Sequence, residues 1–301
     1  MEQYRGRDQA GGLRELSRGA NAAGCALDSP APAARVMSVT SGKGGVGKTV
    51  CVANLAVLLA RQGYRVLVID ADLGLANIDI YFGLSPRYNL NHFFSGRMEL
   101  GDILVPASEG ITILPAGSGV QDYTRLDAAE KMSLMEGLET LHGMFDVVLI
   151  DTEAGISENV TYFNVAAQEI LAVTTPEPTS ISDVYALMKL LSTKYSEKRF
   201  KLIVNCVTSE NEALDVYHKL TLVSNRFINI SIDFMGSVPL DSHFTDSVRK
   251  QSALVELYPE STASLAFEEI LRNIDLGANK QEPKGAQQFF WKRLLSFNEA
   301  R

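Results

Sequence analysis

Cysteine is scarce and scattered in this chain of 301 residues: Cys25, Cys51 and Cys206 are all it has. An odd number without a CxxC pair excludes a disulfide framework and supports neither a zinc nor an iron–sulfur site. Such usage suits a reducing cytoplasm. Long apolar runs are missing too, so no stretch of the sequence is fit to span a bilayer. The first residues, Met1 to Gly19, are charged and lack an apolar stretch, which predicts no signal peptide. Positive charge is in deficit: 28 Lys and Arg face 36 Asp and Glu, a formal net charge of −8. That balance excludes a protein that coats nucleic acid or anionic membrane with its whole surface. A small basic site remains compatible with it. What the chain does have is apolar substance. Hydrophobic residues make up 46% and charged residues 21%, enough for a full core.

Three zones follow from composition. Residues 1–34 are rich in Gly, Ala, Arg and Pro and read as a mobile N-terminal arm. Residues 35–276 alternate β-type runs with helical patterns. Residues 277–301 open with breakers (Gly277, Pro283, Gly285) and end in an aromatic cluster. In the middle zone, strands are predicted at 36–40, 66–70, 111–114, 146–151, 169–174, 200–207 and 232–238. Helices are predicted near 48–62, 128–142 and 180–195. Nearly continuous Val/Ile/Leu runs separated by helices indicate strands buried on both faces. The expected fold class is α/β: a doubly wound, mostly parallel sheet with helices on both faces, as one domain with two tails.

The strongest motif is Gly42-Lys43-Gly44-Gly45-Val46-Gly47-Lys48-Thr49, a match to the P-loop pattern GxxxxGKT between a strand and a helix. Its glycines let successive backbone N–H groups turn toward phosphate oxygens at a helix N-terminus, where the dipole favours anions. Lys48 is expected to neutralise the β- and γ-phosphates and the Thr49 hydroxyl to reach Mg²⁺, with Val50 completing the nucleotide contact. Asp70 ends the second predicted strand and Asp72 follows two residues on. Carboxylates at that edge of a parallel sheet face the ligand crevice. Asp151 ends the apolar run Val147-Val148-Leu149-Ile150, the arrangement that delivers one carboxylate to the metal. Asp79 reads as an ordinary turn residue. The base is expected between Asn205, whose amide can pair both donor and acceptor with adenine, and the turn Pro239-Leu240-Asp241. Asn205 could equally cap the next helix.

Lys43 is not part of the general pattern. With it, KGGVGKT resembles the deviant Walker A motif of the MinD/ParA ATPases. The resemblance implies a P-loop NTPase fold, ATP/ADP and Mg²⁺ as ligands, and an ATPase, slow and dependent on dimerisation. It implies that Lys43 crosses a dimer interface to the partner's nucleotide, in the manner of an arginine finger. By the same likeness Asp72 orients the attacking water and Asp70 stands near Mg²⁺, so Asp72, Lys43 and Lys48 form the catalytic set. The stretch after Asp151 resembles the family's switch II, except that Glu153 stands where relatives carry a small residue or Pro. A carboxylate beside the γ-phosphate would repel it, so Glu153 is expected to face solvent or a partner, with ATP affinity unchanged in Glu153→Ala.

The two tails sharpen the resemblance. Phe290, Trp291, Leu294, Leu295 and Phe297 fall on one arc of a helix, with Lys292 and Arg293 outside it. Aromatic and Leu residues beside basic ones make an interfacial helix for an anionic membrane. Docking on the chain's own core is the competing reading. At the other end, Asp8-Gln9-Ala10-Gly11-Gly12-Leu13-Arg14 is mostly polar and weakly helical. Yet Asp8, Gln9, Ala10, Leu13 and Arg14 match the N-terminal motif of the flagellar-number regulators, the FlhG/FleN/YlxH family. That likeness implies an arm that stimulates the GTPase FlhF. It also implies C-ring proteins and a flagellar transcription activator as partners, an ATP-bound homodimer, and no direct nucleic acid contact. Localisation is expected to be cytoplasmic, reversibly at the cytoplasmic face of the inner membrane. The alternatives are a MinD-like division-site regulator, a ParA-like partitioning ATPase, and a silent module holding nucleotide as a structural ligand.

Overall fold

The computed structural model describes residues 34–274, apart from 109 and 118–124. The N-terminal motif residues Asp8 to Arg14 and the C-terminal aromatic cluster lie outside the described residues. Eight strands form one sheet in the order β3-β4-β2-β5-β1-β6-β7-β8. They are β1 (Arg35–Ser41), β2 (Val66–Ala71), β3 (Val105–Ser108), β4 (Ile111–Leu114), β5 (Val147–Ala154), β6 (Glu169–Thr174), β7 (Arg199–Val207) and β8 (Ser231–Pro239). Every pairing is parallel except β3 with β4. The long helices are α1 (Lys48–Arg61), α2 (Ala128–Glu139), α3 (Glu158–Ala166), α4 (Pro178–Tyr195), α5 (Glu210–Phe227) and α6 (Thr262–Ile274).

Side-chain alternation along the strands explains the layers. Met37, Val39, Val66, Val68, Val147, Leu149, Leu171 and Val173 point to one face and meet α1 and α6. Their neighbours Val36, Leu67, Ile69, Val148 and Ile150 point to the other, against Leu134, Leu138, Tyr162 and Phe163. On that same side Ile170, Ala172, Leu202 and Val204 pack with Val184, Leu187, Val216 and Leu220 of α4 and α5. Helix α1 is enclosed almost all round, which is why its run from Cys51 to Leu59 carries no charge.

The seven predicted strands are all present. The sequence reading missed β3, and the reason is physical. This strand is a half-exposed edge piece with Pro106 in it, and proline removes a ladder donor and demotes a run to an edge. Strand β5 continues three residues past Asp151 because its end lies along β1: the Thr152 hydroxyl donates to the Val39 carbonyl at 3.0 Å, and the Gly155 N–H to the Ser41 carbonyl at 2.9 Å. The strand order reverses at β1. Strand β2 lies on its β5 side and β6 on the other, so the crevice at the carboxyl ends of β1, β5 and β6 is where such sheets take ligands.

Candidate active site

The chain leaves β1 at Ser41, turns through residues 42–47 and enters α1 at Lys48. Steric demand fixes the glycines. A Cβ on Gly42 would lie 2.1 Å from the Asp183 carbonyl carbon, and one on Gly47 would lie 2.3 Å from Asn205 Nδ2. Gly47 also has a left-handed φ of 90°, which only glycine adopts freely. No side chain caps the start of α1, and its first turn holds no acidic residue. Unpartnered N–H groups and an uncompensated dipole make this a ready anion cradle.

Lys48 is buried, and its Nζ donates to Ser41 Oγ at 3.0 Å. Burial pushes its ammonium pKa down, while the charges of Asp151, Asp72 and Glu153 pull it back up. The Ser41 hydroxyl in turn donates to the Lys43 carbonyl at 2.7 Å, so Ser41 ties both lysine positions of the loop together. Ser41 and its contact were not foreseen, although its place as the last strand residue before the loop was a usable signal.

Asp70 and Asp151 are register partners across β2 and β5, and both are buried. Burial and the charge of Asp151 hold the Asp70 carboxyl well above its usual range. Burial raises Asp151 to about 6, against the opposing pull of a Thr49 hydrogen bond and the Lys48 charge. Asp151 Oδ1 is buried without a hydrogen-bond partner. Asp70 uses both oxygens on backbone: Oδ1 accepts from the Asp72 N–H at 3.1 Å, Oδ2 from Asn77 and Ile78 at 3.2 and 3.3 Å. It thereby clamps both ends of the loop that carries Asp72. Asp72 itself accepts from the Leu75 N–H three residues on at 2.9 Å, which ties its carboxylate into the local turn. An unpartnered buried carboxylate oxygen beside a threonine hydroxyl is an all-oxygen donor set, which fits Mg²⁺. Thr49 and Asp151 would hold the ion, with Asp70 behind them. Bound there, the metal would neutralise phosphate charge.

The Glu153 side chain is half-buried, and its carboxylate accepts a hydrogen bond from Ser157 Oγ at an exposed position. Burial raises its pKa, the Asp72 charge adds to that, and Lys48 opposes it. Strand alternation puts residue 153 on the same face as Asp151.

Lys43 sits on the rim, 38% exposed, and is engaged within its own chain: Nζ reaches Glu177 Oε2 at 2.6 Å and Thr179 Oγ1 at 3.0 Å. Glu177 was missed, yet the rule that singled out Asp70 and Asp151 also covers it, because it follows β6 at the same edge of the sheet. Asn205 donates from Nδ2 to the Val46 carbonyl at 2.8 Å and leaves Oδ1 buried and unpartnered. It does not cap α5, whose N-cap is Ser209, accepting from the Glu212 N–H at 3.3 Å. Asn205 thus keeps Oδ1 as a buried acceptor, with one of its two amide hydrogens already given to Val46. Pro239 ends β8, Leu240 is exposed, and the Asp241 carboxylate is taken up by the His243 N–H and ring at 2.9 and 2.6 Å.

A glycine cradle at a helix N-terminus, a buried lysine and paired carboxylates at the carboxyl edge of a parallel sheet together define a P-loop nucleotide hydrolase. The family profile described as "ParA: NUBPL iron-transfer P-loop NTPase" matches residues 33–275. The chain belongs to this ParA/MinD family and is an ATPase that works with ATP, ADP and Mg²⁺. It is similar to the antiactivator FleN of Pseudomonas aeruginosa, 41% identical over 261 residues that cover 87% of this chain and 93% of that protein. The flagellum site-determining protein YlxH of Helicobacter pylori is 32% identical, covering 87% and 90%. Among solved structures, the septum site-determining protein MinD of Pyrococcus horikoshii, complexed with Mg-ADP, matches with a TM-score of 0.65. Its identity is 26%, with 81% of this chain and 96% of that one covered.

Proposed function

We propose that the chain is an ATP-dependent dimerisation switch that regulates flagellar number and placement. The observation that carries the switch is the division between the loop's two lysines: Lys48 is buried at the cradle, whereas Lys43 stands on the exposed rim. A rim cation whose present partner is the exposed Glu177 can be transferred to a second copy's phosphates at small cost, because exposed ion pairs hold weakly. Asp72 would orient the water that attacks the γ-phosphorus, with Lys48 and Mg²⁺ taking up the charge that develops. Residues 42–50 would hold the phosphates, and Asn205 with the turn at 239–241 the base.

The flagellar reading rests on the likeness to FleN and YlxH. In it, the segment at residues 8–14 stimulates the GTPase FlhF, and the aromatic and basic segment around 290–297 holds the dimer to an anionic membrane at the cytoplasmic face. Two weak membrane contacts, joined in one dimer, add by avidity. Among the described residues no helix is long and apolar enough to cross a membrane, so attachment would be peripheral. The deciding experiment is size-exclusion chromatography of Asp72→Ala with ATP and with ADP. A dimer with ATP alone is expected, and a monomer in both would refute the switch.

A further inference from the structure

The last four residues of strand β1 lead into the phosphate loop, and each is bonded to the stretch 152–164. The Val39 carbonyl takes the Thr152 hydroxyl, and the Ser41 carbonyl takes the Gly155 N–H. Ser38 and Thr40 alternate with them and share the face of Val36, in an apolar layer. Both are fully buried there, and both meet the equally buried Asn164 of α3. Ser38 Oγ donates to Asn164 Oδ1 at 2.8 Å. Asn164 Nδ2 donates to Thr40 Oγ1 at 3.0 Å and to the Val160 carbonyl at 2.7 Å. The amide oxygen and both amide hydrogens are thus engaged. Packing does not ask for polar groups here, because a strand buried on both faces ordinarily carries Val, Ile or Leu. Short links run from this node to the site. Val39 is the register partner of Asp151, and Ser41 Oγ receives Lys48 Nζ at 3.0 Å. At the other end of α3, Ser157 caps the helix and binds Glu153, and a Cβ on Gly44 of the loop would lie 4.0 Å from that of Ala154.

We propose that Asn164 is a positioning residue for ATP hydrolysis: with Ser38 and Thr40 it sets the register of α3 against β1, and α3 in turn holds the stretch 152–157 beside the phosphate loop. Asn164 touches neither nucleotide nor metal and acts only through this geometry. Apolar contact is non-directional and lets a helix slide on a sheet, whereas hydrogen bonds fix both distance and angle. Hydrolysis is sensitive to such a slide, since a displacement of about 1 Å at the reacting groups costs up to about a hundredfold in rate. Binding of the diphosphate is less so, because the cradle at 42–49 is built by β1 and α1 alone. The proposal rests on the ATPase assignment and is independent of the dimerisation switch.

The test compares the full chain with the triple variant S38A/T40V/N164L at one protein concentration. Replacing the three side chains together keeps their shapes and strands no buried polar group, so the fold should be spared. The triple variant is expected to melt within about 3 °C of the parent. Its Kd for Mg-ADP and its KM for Mg-ATP should stay within about twofold, while kcat falls about tenfold. A parent-like kcat in the folded triple variant overturns the proposal. So does an equal loss in kcat and in ADP affinity, which would mean that the site as a whole has loosened. Should the triple variant fold poorly, S38A removes a single bond of the node. It is expected to lower kcat about threefold with ADP affinity unaltered, and an unchanged kcat there overturns the proposal as well.

Discussion

Strand β1 carries a charge cluster at each end, and the two are built on opposite principles. At its start, Arg35 forms a two-pronged pair with Glu169, at 2.5 Å from Nε to Oε1 and 2.9 Å from a terminal nitrogen to Oε2. Lys201 closes on the same carboxylate at 2.6 Å, and both cations also donate to the Ile274 carbonyl. At its far end, Lys48, Asp70, Asp72, Asp151 and Glu153 crowd together, and one oxygen of Asp151 is left without a partner. Pairing is complete where the cluster only holds the fold. It is deficient where a ligand must supply the missing charges. Burial raises the Asp151 carboxyl to about 6. Burial also pushes Glu169 up, but its hydrogen bonds to Arg35 and Lys201 outweigh it and hold that carboxyl below the usual range.

That contrast can be broken first at Glu169. Glu169→Ala leaves two partly buried cations facing each other and is expected to destabilise the fold by about 2 kcal/mol, read by urea unfolding, with ADP affinity retained. Because the folded-state pKa of Glu169 is depressed, its contribution is present above the ordinary carboxylate range and is lost as pH falls through the folded value. In Glu169→Ala that part of the acid-side slope should vanish. At the other cluster the sign inverts. Removing an uncompensated buried charge in Asp151→Asn is expected to stabilise the nucleotide-free protein by about 1 kcal/mol, visible as a raised Tm, while Mg²⁺-dependent hydrolysis collapses. Linkage agrees: a carboxyl raised to about 6 costs folding stability as pH climbs from about 4 through 6, and the variant should lose that decline. The smallest effect is expected from Glu177→Ala. Its pair with Lys43 is exposed, so stability should move by less than about 0.5 kcal/mol in thermal melts.

The two ends were unequally legible. The loop 42–49 and the strand ends at Asp70 and Asp151 announce themselves locally, by glycine spacing and by an apolar run ending in one carboxylate. The Arg35–Glu169 pair joins residues 134 apart, and the Lys43–Glu177 pair does the same. Nothing in either local stretch names its mate; only the sheet order, with β1 beside β6, brings them together. Edge strand β3 escaped because proline and half-exposure erase the apolar signature that marked the others. For Glu153 the sequence offered charge repulsion but not its partner, the Ser157 hydroxyl four residues on.

The hold of Arg35 on the Ile274 carbonyl has an engineering consequence. It brings the entry of the first strand and the exit of the last described helix to within one side chain's reach, at the pole away from the phosphate cradle. A gene rewired so that a short peptide joins 274 to 34, with new ends opened in an exposed surface turn such as 62–64, should therefore still encode a nucleotide-binding domain, as circular permutants commonly do when ends adjoin.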